Sequence, residues 1–416
     1  MKKYIYLSSD HSISYNSENW YINDIPQEKE NSIPEELIIK NAEDEAKKLV
    51  IKDICTFSAY FANIGILTAA GTSMENGSHG GKTRTELWSS YSAEIDAIKD
   101  QIVSKGGHVA TQCLDIIESK NIENFLSFTI LYEKLNGELL DDKGNSLKLN
   151  LENKIAEACR LVLDKDNQHH QDFIKKITAR KPGASRVQLY TTNYDTLFEQ
   201  AAARLNYTII DGFSFSYPRI FNGANFDRDI VFRERTRINQ EESFIPGVLQ
   251  MFKLHGSVDW EKSIEGKIFQ KELVKHPCII YPASDKFESS YEQPYFEMMA
   301  HLQQTLRRES TFFMIAGFGF QDKHIQNVIH EAAIQNPNFH LLIICYGSSP
   351  FKDENGDEKW DNIGITNYLV PGYLKDPSTP IPNVTILFSK FKNFVEIYPL
   401  NPSYLPHNLE EKNEPF

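Results

Sequence analysis

Cysteine is scarce and unpaired in this 416-residue sequence. Cys55, Cys113, Cys159, Cys278 and Cys345 form no Cys-x-x-Cys pair, which excludes the usual spacing of a structural zinc site. Their odd number, wide separation and apolar neighbours predict reduced, buried thiols in a cytoplasmic chain. Basic charge is also short: 44 Lys and Arg against 57 Asp and Glu leave a formal net charge of −13. Such a chain has no strong electrostatic footprint for nucleic acid, and no direct nucleic-acid partner is expected. Long apolar runs are missing. No stretch reaches the roughly 20 residues of a membrane helix, and the apolar run in MKKYIYLSSD is too short for a signal peptide. There is no internal repeat and no long low-complexity tract.

What is present is ample core material, with 41% hydrophobic and 12% aromatic residues. Residues 1–50 read as a polar N-terminal extension, with a helix from Glu35 to Ile54 capped by Ser32 and carrying Pro34 in its first turn. Residues 51–400 read as one catalytic domain and 401–416 as a C-terminal tail. Buried strands are predicted at Gly65–Ala70, Val187–Tyr190, Val248–Leu254, Cys278–Tyr281, Thr311–Ala316, Leu341–Cys345 and Asn383–Phe388. Helices are predicted at Thr196–Leu205, Pro294–Leu306 and Asp322–Ala333. A mainly helical insertion occupies about 85–180, with helices at Ala93–Val103, Asn124–Lys134 and Leu151–Leu163. Alternating apolar strands and helices predict an α/β fold with a parallel sheet. Ligands then sit at the carboxyl ends of the strands.

Several strand ends are unusual. The stretch ILTAAGTSMENGSHGGKT, residues 66–83, leaves a strand and ends in Gly81-Lys82-Thr83. A P-loop, Gly-x-x-x-x-Gly-Lys-Thr, needs glycine at 76, where Asn76 stands. ATP hydrolysis therefore ranks last among the readings. The strand-proximal Ala70-Gly71-Thr72-Ser73 suits a dinucleotide pyrophosphate better, with small residues and hydroxyls beside a helix start. Further strand ends carry Thr191-Thr192-Asn193-Tyr194-Asp195, His255-Gly256 and Gly317-Phe318-Gly319-Phe320-x-Asp322. Singly, each has an ordinary structural explanation. Asn-Tyr-Asp is a helix-capping turn, His255 a satisfied core histidine, and the glycines a tight turn. The ordered set favours function.

In that order these motifs resemble the sirtuin (SIR2) family over roughly residues 60 to 400. The resemblance implies a Rossmann-like NAD-binding sheet and cleavage of the bond between nicotinamide and ribose. Asn193 offers amide groups to fix a ribose hydroxyl or a water, and His255 is a general base at neutral pH. Asp195 orients the Asn193 loop or balances charge. Ala70, Gly71, Thr72, Ser73, Thr192, Gly317, Phe318 and Gly319 are expected at the nucleotide, with Cys345 and Tyr346 bordering the adenine and Asp285 lining the pocket. His324 reads as a helix-start residue.

Departures from the family are equally informative. The zinc-binding cysteine pairs of deacetylating sirtuins are missing, so no metal is expected. Gly77–Arg84 replaces Gly-Ile-Pro-Asp-Phe-Arg, with Arg84 as the candidate arginine and Gly77–Thr83 as a mobile cover over the nicotinamide half. Thr192 stands where glutamine is usual. The pattern looks most like zinc-free SIR2 domains of bacterial antiphage systems, which hydrolyse NAD+ to ADP-ribose and nicotinamide. NAD+ is then the substrate. The alternatives are a non-catalytic NAD or ADP-ribose-binding module gating a partner, and a protein deacylase or ADP-ribosyltransferase. Analogy further implies a homo-oligomer controlled by a neighbour-encoded protein, a HerA-like ATPase before a short Argonaute.

Overall fold

A computed structural model describes residues 3–28, 34–181, 183–231, 244–274, 277–279, 293–320, 322–346, 350–352, 358–360 and 383–401. Its strands in chain order are β1 (Lys3–Leu7), β2 (Ser12–Tyr15), β3 (Trp20–Ile22), β4 (Ile25–Pro26), β5 (Asn63–Thr68), β6 (Gln188–Thr191), β7 (Thr208–Ile210) and β8 (Val248–Lys253). They continue with β9 (Gly256–Lys262), β10 (Ile268–Gln270), β11 (Pro277–Ile279), β12 (Thr311–Ala316), β13 (Phe339–Cys345), β14 (Pro350–Lys352), β15 (Glu358–Trp360) and β16 (Val384–Phe388). An 11-stranded sheet has the order β4-β3-β2-β1-β16-β13-β12-β5-β6-β8-β7. From β16 to β7 all neighbours pair in parallel.

The central strands are parallel because both of their faces are apolar. Every residue of β12, TFFMIA, is buried. Phe313 and Ile315 pack on one face with helices α10 (Tyr295–Arg307) and α11 (Lys323–Gln335). Phe312, Met314 and Ala316 pack on the other with α1 (Glu35–Tyr60), α8 (His169–Thr178), α9 (Leu197–Arg204) and α12 (Phe391–Ile397). Helix α1 buries Ala42, Ala46, Val50 and Ile54, one residue per turn. The expected α/β architecture with helices on both faces is present.

The helical insertion follows the short helix α2 (Ala70–Ser73) and comprises α3 (Arg84–Ser90), α4 (Ser92–Val103), α5 (Gly107–Glu118), α6 (Ile122–Asn136) and α7 (Leu147–Ala158). It has its own core around Trp88, Ile98, Phe125 and Leu151. Helix α7 ends at Ala158, short of the expected Leu163. The reason lies in Asn76, whose side chain donates to the Val162 carbonyl at 2.8 Å and accepts from the Asp164 amide at 3.0 Å. Those backbone groups are thereby engaged outside any helix.

The N-terminal region differs from its reading as a polar extension. β1 to β4 form an antiparallel meander that continues the main sheet from β16. Ile5, Tyr6, Leu7 and Ile13 are buried, and the Tyr6 hydroxyl donates to Asp53 of α1. Residue 50 lies inside α1. Ser32, the expected cap, lies outside the described residues, and Pro34 occupies the cap position. Ile280, Tyr281 and the tail from 402 onward also lie outside them. No disulfide joins the five cysteines. Cys113 and Cys345 are buried, Cys159 and Cys278 half-buried, but Cys55 is exposed beside the buried Ile54 on α1. No described helix is long and apolar enough to cross a membrane.

Candidate functional site

One row across the sheet places the site. Ala316 of β12 pairs with Thr68 of β5, Thr68 with Thr191 of β6, and Thr191 with Lys253 of β8. Every motif read from the sequence leaves its strand just beyond this row. The chain moves outward from β5 towards β6 on one side and from β12 towards β13 on the other, so the switch point lies between β5 and β12.

At that point two glycines let the backbones touch. The Gly71 amide donates to the Gly317 carbonyl at 3.1 Å. A Cβ on Gly71 would lie 2.6 Å from the Gly317 Cα, and one on Gly317 would lie 2.7 Å from the Thr72 nitrogen. Gly317 also has a φ of +67°, which favours glycine.

Asn193 is held by a directed relay. The Thr72 hydroxyl donates to the Ala69 carbonyl at 2.9 Å, and the Ser73 hydroxyl donates to Asp195 Oδ2 at 2.6 Å. Both hydroxyl oxygens then act as acceptors. Asn193 Nδ2 donates to Ser73 Oγ at 2.8 Å, the Ala69 carbonyl at 3.1 Å and Thr72 Oγ1 at 3.2 Å. Three acceptors fix which end of the amide is nitrogen. Asp195 Oδ1 accepts the Leu197 amide at the start of α9, at 3.0 Å. Asp195 therefore positions the loop and Ser73 together.

His255 is oriented by Asp322, a residue given no catalytic role by the sequence. Its Nε2 lies 3.0 Å from Asp322 Oδ2. Asp322 Oδ1 accepts the His324 and Ile325 amides at 2.9 and 3.2 Å, capping α11. Burial pushes the Asp322 carboxyl up, but the His255 hydrogen bond and charge and the two amides outweigh it and hold its pKa below the ordinary value. With Nε2–H donating to Asp322, the lone pair of the neutral ring is on Nδ1.

Beneath the Asn193 loop lies Lys253, only 2% exposed. Its ammonium donates to the Asp195 carbonyl, to the Tyr194 carbonyl at 3.5 Å and to Glu199 at 2.9 Å. Burial disfavours the charged lysine, but Glu199, Asp259 and Asp195 outweigh it and raise its pKa. Burial likewise pushes the Glu199 carboxyl up to about 7, against the pull of Lys253.

These elements surround a cavity of about 500 Å³, a size suited to a nucleotide-like ligand. Of the residues singled out in the sequence, Ala70, Ser73, Thr192, Asn193, Asp195, His255, Gly317, Phe318 and Gly319 line it. Gly71 and Thr72 do not. Their amides and the Thr72 hydroxyl bond to protein instead of facing a phosphate. Cys345 is buried, Tyr346 is 73% exposed, and neither lines the cavity. Asp285 lies outside the described residues, as does the side chain of Arg84, whose backbone opens α3.

The insertion supplies residues that the motifs missed: Leu87, Asn121, Glu123, Asn124 and the half-buried Cys159. Lys82, Lys323 and His324 line the cavity as well. The loop expected as a mobile cover has fixed contacts. Gly77–His79 is a 3-10 turn, and the Gly81 amide donates to the Ser73 carbonyl at 2.9 Å. Among the described residues, no group of three or more His, Cys, Asp or Glu could hold a metal.

Residues 187–368 match the family model of a SIR2-like domain. This stretch contains Asn193, His255, Gly317 and Asp322, and it implies NAD-dependent activity. The Ala70–Ser73 turn lies upstream of the matched stretch and reaches the SIR2-like residues through the Gly71–Gly317 and Ser73–Asp195 contacts. No curated protein matches the chain.

Proposed function

We propose that the chain is an NAD+ glycohydrolase that releases nicotinamide and leaves ADP-ribose. The observation that carries this reading is the pair of fixed polar groups on one cavity: the Asn193 amide, locked by Ser73, and the His255 imidazole, locked by Asp322. Nicotinamide leaves NAD+ as a neutral molecule, and the ribose becomes oxocarbenium-like as it departs. Asn193 spends its nitrogen on the protein, so its oxygen is the group that holds a ribose hydroxyl or the attacking water. His255 Nδ1 takes the proton, and Asp322 stabilises the imidazolium that results. Lys82 and Lys323 supply positive charge to the pyrophosphate. Loops leaving parallel strands at a switch point are the usual place for such a nucleotide.

The attacker in this reading is water, because the insertion presents side chains to the same cavity in place of an open peptide groove. NAD+ loss would then serve as the effector step of antiphage defence. A homo-oligomer and a neighbour-encoded partner, a HerA-like ATPase first, would control it. Purified full-length protein, alone and with that partner, should release nicotinamide and ADP-ribose in equal amounts. Binding of NAD+ without release in either state would favour a non-catalytic module. Label passing from NAD+ to protein would favour a transferase.

A further inference from the structure

We propose that Lys253 is a positioning residue that couples the Asn193 loop to His255 for the cleavage step. The inference rests on the glycohydrolase reading of the same site. Lys253 ends β8 two residues before His255, and its side chain points beneath the loop that follows β6. That loop, from Thr192 to Thr196, has no regular structure of its own. Besides the contacts of Asn193 and Asp195 with the Ala69–Ser73 turn, bonds from the β8–β9 segment shape it. The Leu254 amide donates to the Thr191 carbonyl at 2.8 Å, and the Val258 amide to the Tyr194 carbonyl at 3.0 Å. Ser257 Oγ adds a bond to Tyr194 at 3.3 Å. Lys253 adds its ammonium to the carbonyls of Tyr194 and Asp195, the two residues after Asn193.

An ammonium buried this deeply is costly unless its hydrogens find acceptors. Here Glu199 on α9 and the two carbonyls provide them. One side chain thus fixes the loop bearing Asn193 and Asp195, the helix behind it and the strand that delivers His255. Neither Lys253 nor Glu199 lines the cavity, so neither touches the substrate. Their effect must pass through Asn193 and His255.

The test compares wild type with K253M and with K253M/E199M, which replaces the ion pair by two apolar side chains and leaves no orphan carboxylate. Readouts are NAD+ cleavage, ADP-ribose binding by calorimetry and amide hydrogen exchange in residues 190–197. Both variants should bind ADP-ribose within about threefold of wild type while kcat falls by about tenfold or more, the scale of a misplaced catalytic group. Exchange in 190–197 should speed up. A folded variant with wild-type kcat overturns the proposal. So does a double variant that fails to fold, since the pair is then structural. If wild type itself releases no nicotinamide, the glycohydrolase reading fails instead, and unchanged exchange in 190–197 would separately refute the clamp.

Discussion

At the residue scale, Asp322 does two jobs with one carboxylate: Oδ1 caps α11 and Oδ2 holds His255. D322N keeps an acceptor for the cap but removes the charge facing the imidazole. We expect kcat for NAD+ cleavage to fall by about 10–100-fold, within the range of general acid–base contributions, with little change in ADP-ribose affinity. The stability effect has a definite sign. The folded pKa of Asp322 lies below its ordinary value, so its ionised form stabilises the fold above about pH 4 and loses that effect as pH falls through the folded pKa. The wild-type advantage over D322N in urea denaturation should be about 1–3 kcal/mol at pH 7 and smaller at pH 3. An equal gap at both values would contradict the assignment. Two glycines give a paired test. Alanine at Gly317 meets the Thr72 nitrogen at a positive φ, whereas a Cβ on Gly319 meets nothing within 4 Å. G317A should cost about 1–3 kcal/mol of stability. G319A should leave stability unchanged and raise the KM for NAD+, because its methyl group enters the cavity. Equal melting temperatures for the two variants would refute the close-approach argument.

At the element scale, the glycine-rich loop turns on Asn76. Its amide makes four bonds, to the Val162 and His79 carbonyls and from the Asp164 amide and Asn167 side chain. N76A should release the loop, destabilise the protein by about 2–4 kcal/mol and increase proteolysis between residues 74 and 83. Unchanged proteolysis would show that the loop is held by other means. Much of this level was legible. The strands Thr311–Ala316 and Leu341–Cys345 are mainly apolar runs, and Val187–Tyr190 is broken only by Gln188, a pattern that survives folding because both faces are covered. The partnership of His255 with Asp322 was not legible, since 67 residues separate them. Lys253 was missed for another reason: a lysine closing a strand reads as solvent-facing unless its acceptors are known. β1 to β4 escaped notice because they are short and rich in polar residues, and their pairing to β16 spans nearly the whole chain.

At the scale of the whole molecule, the N-terminal meander covers the edge of a parallel sheet. Removing residues 1–28 would bare β16 and take Ile5, Tyr6, Leu7 and Ile13 out of the core. An exposed β edge invites pairing with other chains. The truncated protein should melt at a lower temperature and elute as larger species in size exclusion. A truncation with wild-type melting and elution would mean that the meander is dispensable. The same sheet brings four separated sequence regions, at 70–73, 192–195, 255 and 317–319, to one cavity, and residues of the insertion line it as well. The central claim is that this cavity breaks NAD+. The most direct test is the release of nicotinamide from NAD+ by wild type, N193A and H255A, with and without the proposed neighbour-encoded partner. The account predicts stoichiometric nicotinamide and ADP-ribose from wild type and a loss of about 100-fold or more in each variant. No release by wild type in either state, or an N193A rate equal to wild type, would contradict it.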